Sequence, residues 1–366
     1  MIPVTYYTSV FFLFLTTAIL MACLPLLKSS TLTEFPTIHS KIGLFVLLLI
    51  TIGFIGLRDP LGNWRYLGDT SVYTHIFEQI RQNTSTDFNK DLGFIVFMKI
   101  CSNIMDVHGF YLLSAVLYVV LPLFTFKKWF GKYAFFAMAT FVTTLSFWGF
   151  GINVMRNGLA TSIFIFALGY KDKKLLFYLL LLLSITFHKA MLLPSVAYII
   201  ANNYHNTKVV FFFWLSTIPI SLVLGHQLEP FVRDFFSADN IIADARAQTY
   251  FSGEKQNFIV EQRFRLDFII YSAIPILIAF YQLYKKNYTS VTYNLLVRLY
   301  LFINGAWILL IYVEYTDRLA ALSWFLMPII LIYPFILNNN NTRKAKAVWL
   351  VITGSLIFTL LMNFYQ

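Results

Sequence analysis

Apolar runs of membrane-spanning length, separated by short polar gaps in which lysine predominates, leave this chain few ways to fold. Val4–Leu27, Phe110–Phe126, Val209–Gly225, Asp267–Tyr284, Asn294–Val313, Leu319–Leu337 and Trp349–Phe364 are such runs. A helical span takes about 20 predominantly apolar residues, and inside lipid a helix satisfies every backbone donor and acceptor within its own segment. Composition agrees, with 58% hydrophobic, 19% aromatic and only 12% charged residues and a mean hydropathy of +0.69. Other apolar stretches are short or interrupted. Ile42–Leu57 stops at Arg58-Asp59-Pro60, and Leu175–Tyr204 is broken at His188-Lys189 and Pro194 into two half-helices meeting at His188. Tyr133–Phe150 and Gly158–Tyr170 read as a hairpin with Arg156 at its turn. The expectation is an all-α polytopic membrane protein of about 12 membrane segments, several short or broken. It forms one integral membrane domain over residues 1–366, with outer-side loops 58–109 and 226–266. Met1–Leu27 has neither a basic leading region nor a small-residue cleavage site, so it reads as a retained first span.

The formal net charge is +11, which in a soluble chain would suggest nucleic acid. Here half of the 28 lysines and arginines lie in gaps such as Lys127–Lys132, Lys171–Lys174 and Lys285-Lys286, where only Glu34 and Asp172 oppose them. That is the positive-inside pattern, so the charge sets topology and no nucleic-acid partner is expected. Arginines other than Arg298 and Arg343 then fall on the outer side, where the planar guanidinium suits phosphate or carboxylate. Cys23 and Cys101 lie in or beside apolar segments without metal-ligand spacing and read as small buried side chains.

Several constellations on the outer side carry potential chemistry. Arg156 is the one charge between Tyr133 and Tyr170, and an intramembrane charge is costly enough to ask for a function. With Asn157 and the following helix start it either binds a lipid-linked phosphate or snorkels at the turn. His188 either acts on a substrate hydroxyl or belongs to a plain turn. Arg58, Asp69 and Tyr73 form a loop-plus-helix group. Asp69 is expected to cap an amphipathic helix Asp69–Arg81 on the membrane surface, with Tyr73, Phe77 and Ile80 on one face, and an Arg58–Asp69 ion pair is the structural alternative. Asp91–Asp106 reads as another surface or re-entrant helix. Arg263, Arg265 and Asp267 stand where the long polar stretch re-enters the membrane, and Asp317-Arg318 lies in a charged turn. No HExxH, Walker or CxxC pattern occurs, so a metal or nucleotide has no sequence support.

Taken in succession, Gly56-Leu57-Arg58-Asp59, Gly68-Asp69-Thr70 with Tyr73 and Phe77, Asp91-x-Gly93-Phe94, Met155-Arg156-Asn157-Gly158-Leu159-Ala160, Phe187-His188-Lys189-Ala190 and Asp317-Arg318 resemble EpsG-like, Wzy-type polysaccharide polymerases. Asn157 stands where Gln is commoner in that family, and Asp91 where Glu-Pro is expected. The resemblance implies an inner-membrane glycosyltransferase of GT-C-like architecture with its site facing the periplasm or cell exterior. It would move a growing glycan from undecaprenyl diphosphate to a sugar hydroxyl of another lipid-linked repeat unit, without a metal or other cofactor. A chain-length regulator and a flippase are the implied partners. Arg156 and Arg318, with Arg58, Arg263 and Arg265, are then the diphosphate ligands. His188 is the candidate base, Asp69 its competitor, and Asn157, Tyr73 and Asp317 support them. A repeat-unit flippase and a membrane O-acyltransferase are the rival readings.

Overall fold

The computed structural model describes residues 2–84, 91–236, 264–313, 316–337 and 344–364. All regular structure among them is helical. Seven helices are long and apolar enough to cross a membrane: Val4–Lys28, Thr37–Gly56, Val107–Val142, Thr207–Gln227, Leu266–Lys285, Thr316–Leu337 and Ala345–Phe364. An eighth arises if the bent pair Leu145–Ile152 and Met155–Gly169 counts as one span. Leu92–Ser102 and Lys174–Phe187 are apolar but have 11 and 14 residues. At 1.5 Å per residue they reach only about 16 and 21 Å, short of the roughly 30 Å hydrocarbon core.

The described residues gather into two compact units. The first comprises residues 1–189 and 335–366. In it Thr37–Gly56 packs on Val107–Phe130, which also carries Met155–Gly169, and Lys174–Phe187 lies against the latter. Close approach here depends on small residues. A Cβ on Gly158 would stand 2.5 Å from the Phe150 carbonyl oxygen, and one on Gly56 would stand 2.9 Å from the Leu112 Cα.

The expected Tyr133–Phe150 arm is two helices, Ala134–Val142 and Leu145–Ile152. Thr143 and Thr144 separate them by turning their hydroxyls onto the Ala139 and Phe141 carbonyls, the local bonding by which threonine competes with helix continuation. The Thr143 carbonyl freed by this break accepts from Ser355 and Thr359 of the last helix, so no backbone acceptor is stranded. A second break follows at Asn153-Val154, where the chain bends by 120°. Arg156 therefore sits in the first turn of Met155–Gly169.

The polar stretch after Arg58 also folds differently from a helix on the membrane surface. The helix runs Thr70–Arg81, and Val72, Tyr73, Ile76 and Phe77 are buried against Leu92–Ser102 and Val107–Phe130. Its apolar face is thus covered by protein. Asp69 occupies the N-cap position but makes no side-chain capping bond.

The second unit, residues 190–334, is built around Val291–Leu309, which packs on Leu192–Asn203, Thr207–Phe236 and Thr316–Trp324. Arg298 in its middle is buried. Its Nε donates to the Ala201 carbonyl at 3.0 Å and one Nη to Thr207 Oγ1 at 3.1 Å, so the cation closes the C-terminal end of Leu192–Asn203, where the helix dipole favours positive charge. Asn304 links Trp214 to Ser323.

Candidate active site

Asp91 is where three segments of the first unit meet. It precedes Leu92–Ser102 with a left-handed backbone, φ 54°, a conformation that aspartate tolerates better than most residues. The position is that of an N-cap, yet the carboxylate makes no bond to its own helix. Its side chain is 0% exposed. Oδ2 accepts from Arg156 Nη1 at 2.6 Å and from His188 Nδ1 at 3.1 Å, and Oδ1 accepts from the Lys189 backbone N–H at 3.0 Å.

Each partner arrives there through a local break. Arg156 follows the 120° bend, and His188 is the extended residue, φ −156° and ψ 120°, that ends Lys174–Phe187. The half-helices expected around His188 are present as Lys174–Phe187 and Leu192–Asn203, joined through the turn Lys189–Met191.

The electrostatics follow from this geometry. Burial pushes the Asp91 carboxyl up, but the His188 hydrogen bond and charge, the Arg156 guanidinium and the Lys189 N–H together outweigh it and hold it below its ordinary value. A carboxylate only accepts, so Nδ1 of His188 donates to Asp91, and in the neutral ring Nε2 on the opposite edge is the nitrogen that accepts from another group. With 16% of its side chain exposed, the ring remains reachable.

Arg58 and Asp69 approach the same bend from another direction. Arg58 is 1% exposed, and one Nη donates to the Ile55 carbonyl at 2.6 Å and the Gly151 carbonyl at 3.2 Å. Its other Nη lies 3.4 Å from the Met155 sulfur, and its Cζ stands 4.1 Å from the Tyr111 ring centroid. The Asp69 backbone N–H donates to Asn153 Oδ1 at 3.1 Å. Gly68, at φ 56°, makes room for this, since a Cβ there would overlap the Asn153 amide. Tyr73 is buried with its ring edge-on to Phe94 at 5.8 Å, and Asn157 is buried on the turn that carries Arg156.

Thus Arg58, Asp69, Tyr73, Arg156, Asn157 and His188 belong to the first unit. The residues at Gly151–Asn157 link the group around Arg58 to the group around Asp91. Arg58 and Asp69 reach this bend through separate bonds, and the hydrogen bonds of Arg58 go to backbone carbonyls and a sulfur.

Arg265, Asp317 and Arg318 belong to the second unit. Arg265 forms a two-pronged pair with Asp267, Nε to Oδ1 at 3.0 Å and Nη2 to Oδ2 at 2.7 Å, and lies 3.5 Å over the Phe268 ring. Asp317 is exposed and Arg318 half-buried at the start of Thr316–Trp324. Arg263 lies outside the described residues. Among the described residues no group of three or more His, Cys, Asp or Glu is arranged to hold a metal ion.

Residues 41–366 match the family model described as the EpsG family. The chain belongs to the EpsG family. Membership makes it a polysaccharide polymerase-like membrane protein. No curated protein and no solved structure matches it. Against this EpsG-family background the residue missed from sequence is Asp91. Its motif Asp91-x-Gly93-Phe94 was visible, but the partners lie 65 and 97 positions away, beyond anything local spacing reveals.

Proposed function

We propose that the protein is a polysaccharide polymerase of the inner membrane, a metal-independent glycosyltransferase of GT-C-like architecture. It joins a growing glycan carried on undecaprenyl diphosphate to a sugar hydroxyl of another lipid-linked repeat unit at the outer face. The observation that carries this reading is one buried carboxylate, Asp91, shared by Arg156 and His188.

The chemistry needs two things that this group supplies. The acceptor oxygen attacks the anomeric carbon, and its proton passes to His188 Nε2, whose ring Asp91 holds in the required tautomer. The bond from the anomeric carbon to the diphosphate breaks with both electrons leaving on oxygen. Arg156 faces that developing charge as a fixed cation, which stabilises the leaving group without a metal. Asp69, on the neighbouring segment, is the competing acceptor for the proton.

The test is complementation of a strain lacking the gene by His188→Ala, Arg156→Ala or Asp69→Asn variants at matched protein level. His188→Ala and Arg156→Ala abolish the long glycan ladder and leave single lipid-linked repeats on the outer side, while Asp69→Asn retains it. Normal ladders from both of the first two variants contradict the proposal. Accumulation of repeats on the inner side points instead to a flippase, and full-length polymer lacking a modification points to an acyltransferase.

A further inference from the structure

Arg58 also lines an open pocket of about 710 Å³. The pocket's walls are a stripe of Thr37–Gly56, namely Leu49, Ile50, Gly53 and Phe54, continued by Leu57, with Phe14 across from it on the first helix. Positions 49, 50, 53, 54 and 57 fall on one face of a helix. Thus the pocket is a groove running along the helix axis away from Arg58. Phe14, Leu49 and Leu57 on its rim are exposed, as befits a surface facing hydrocarbon.

Two observations on Arg58 say what belongs there. Among the described residues its guanidinium meets carbonyls, a sulfur and a ring but no carboxylate, and its Nε has no hydrogen-bond partner although the side chain is buried. A buried charge without a counter-ion is costly. Asp59 lines the same end of the groove, but its carboxylate is exposed and accepts from the Leu61 N–H at 3.0 Å. The second observation is depth. Thr37–Gly56 has 20 residues, about 30 Å of helix, which equals the hydrocarbon thickness. By that length Arg58, two residues beyond its end, is expected at the membrane interface, where the lipid phosphates lie.

We infer that this groove is a binding site for a bilayer phospholipid, its phosphate paired with Arg58 and one acyl chain lying along the Leu49–Leu57 stripe. The site is separate from the Asp91 group and stands whether or not the polymerase reading holds. It touches that group mechanically, because Arg58 also holds the Gly151 carbonyl and Met155 beside Arg156. A phosphate on Arg58 thereby helps fix the bend.

Native mass spectrometry of the detergent-purified full chain tests this with four probes. They are phosphatidylglycerol, diacylglycerol with the same acyl chains, undecaprenyl phosphate and inorganic phosphate. Gly53→Phe is designed to fill the groove, and a Cβ at Gly53 meets nothing within 4 Å, so the substitution starts without a clash and its melting curve checks the fold, while Arg58→Gln reports on the phosphate. The expected result is a phosphatidylglycerol adduct about tenfold weaker in either variant, a diacylglycerol adduct weaker to the same degree, and no displacement by millimolar inorganic phosphate. Unchanged phosphatidylglycerol binding by natively melting Gly53→Phe overturns the site. Equal binding of diacylglycerol overturns the role of the phosphate, and undecaprenyl phosphate displacing phosphatidylglycerol at equal concentration overturns the assignment to a bilayer phospholipid.

Discussion

Asp91 leaves the start of its own helix uncapped and spends both oxygens on other segments. Replacing it removes one member of a buried charged group, a change that costs about 3–5 kcal/mol when the remaining charge is stranded. Asp91→Asn is therefore expected to lower the melting temperature and abolish polymer formation. Pairing it with Arg156→Gln should cost less than the two single changes together, by on the order of 1–3 kcal/mol, because the stranded charge is removed as well. Additive effects in that cycle would mean the contact carries no coupling. The pH dependence has a definite sign. The folded-state pKa of Asp91 lies below its ordinary value, close to 3.9 in an unfolded chain. Its contribution is thus fully present above about pH 5 and is lost as pH falls through the lower folded value. Melting curves taken down through about pH 4 should fall more steeply for the native protein than for Asp91→Asn. Parallel curves would show that the carboxylate is not held in this way.

At the scale of the element, the bend between Leu145–Ile152 and Met155–Gly169 decides where Arg156 stands. Gly158 allows it, since any Cβ would meet the Phe150 carbonyl oxygen at 2.5 Å and the Tyr118 ring at 3.1 Å. Backbone cannot yield as a flexible side chain does, so Gly158→Ala should destabilise by about 1–3 kcal/mol. Gly149→Ala is the control. A Cβ there meets open space, and alanine in a helix is favoured over glycine by roughly 0.5–1 kcal/mol. Equal melting temperatures for the two variants would argue against the packing described. The break at His188 was legible because polar residues interrupt an apolar run. That at Thr143-Thr144 was not, because it changes hydropathy little and arises from hydroxyls bonding back to carbonyls. Likewise, the Thr70–Arg81 periodicity marked an apolar face without saying that protein would cover it.

For the whole molecule, hydropathy made the helical membrane class plain, and the seven or eight helices of spanning length follow from it. The shorter helices resist such counting, since an 11-residue segment like Leu92–Ser102 serves as packing for neighbours instead of a crossing. Orientation rests on the lysine clusters. Because Cys23 and Cys101 are both buried, cysteines placed at Lys128, Lys173 and His75 can be labelled selectively in intact cells. A membrane-impermeant reagent should reach position 75 directly and positions 128 and 173 only after permeabilisation, whereas the reverse pattern would invert the topology. The candidate site was legible as separate motifs, but its assembly was not, because Arg156 and His188 meet at Asp91, far from both along the chain. The most direct measurement is reconstitution of the purified full chain in liposomes with a synthetic undecaprenyl-diphosphate-linked repeat unit and a chelator, read as a glycan ladder. A ladder from the native protein, reduced at least about 10²-fold in His188→Ala, is the predicted result. No ladder from the folded native protein, or an unchanged one from His188→Ala, would contradict the account.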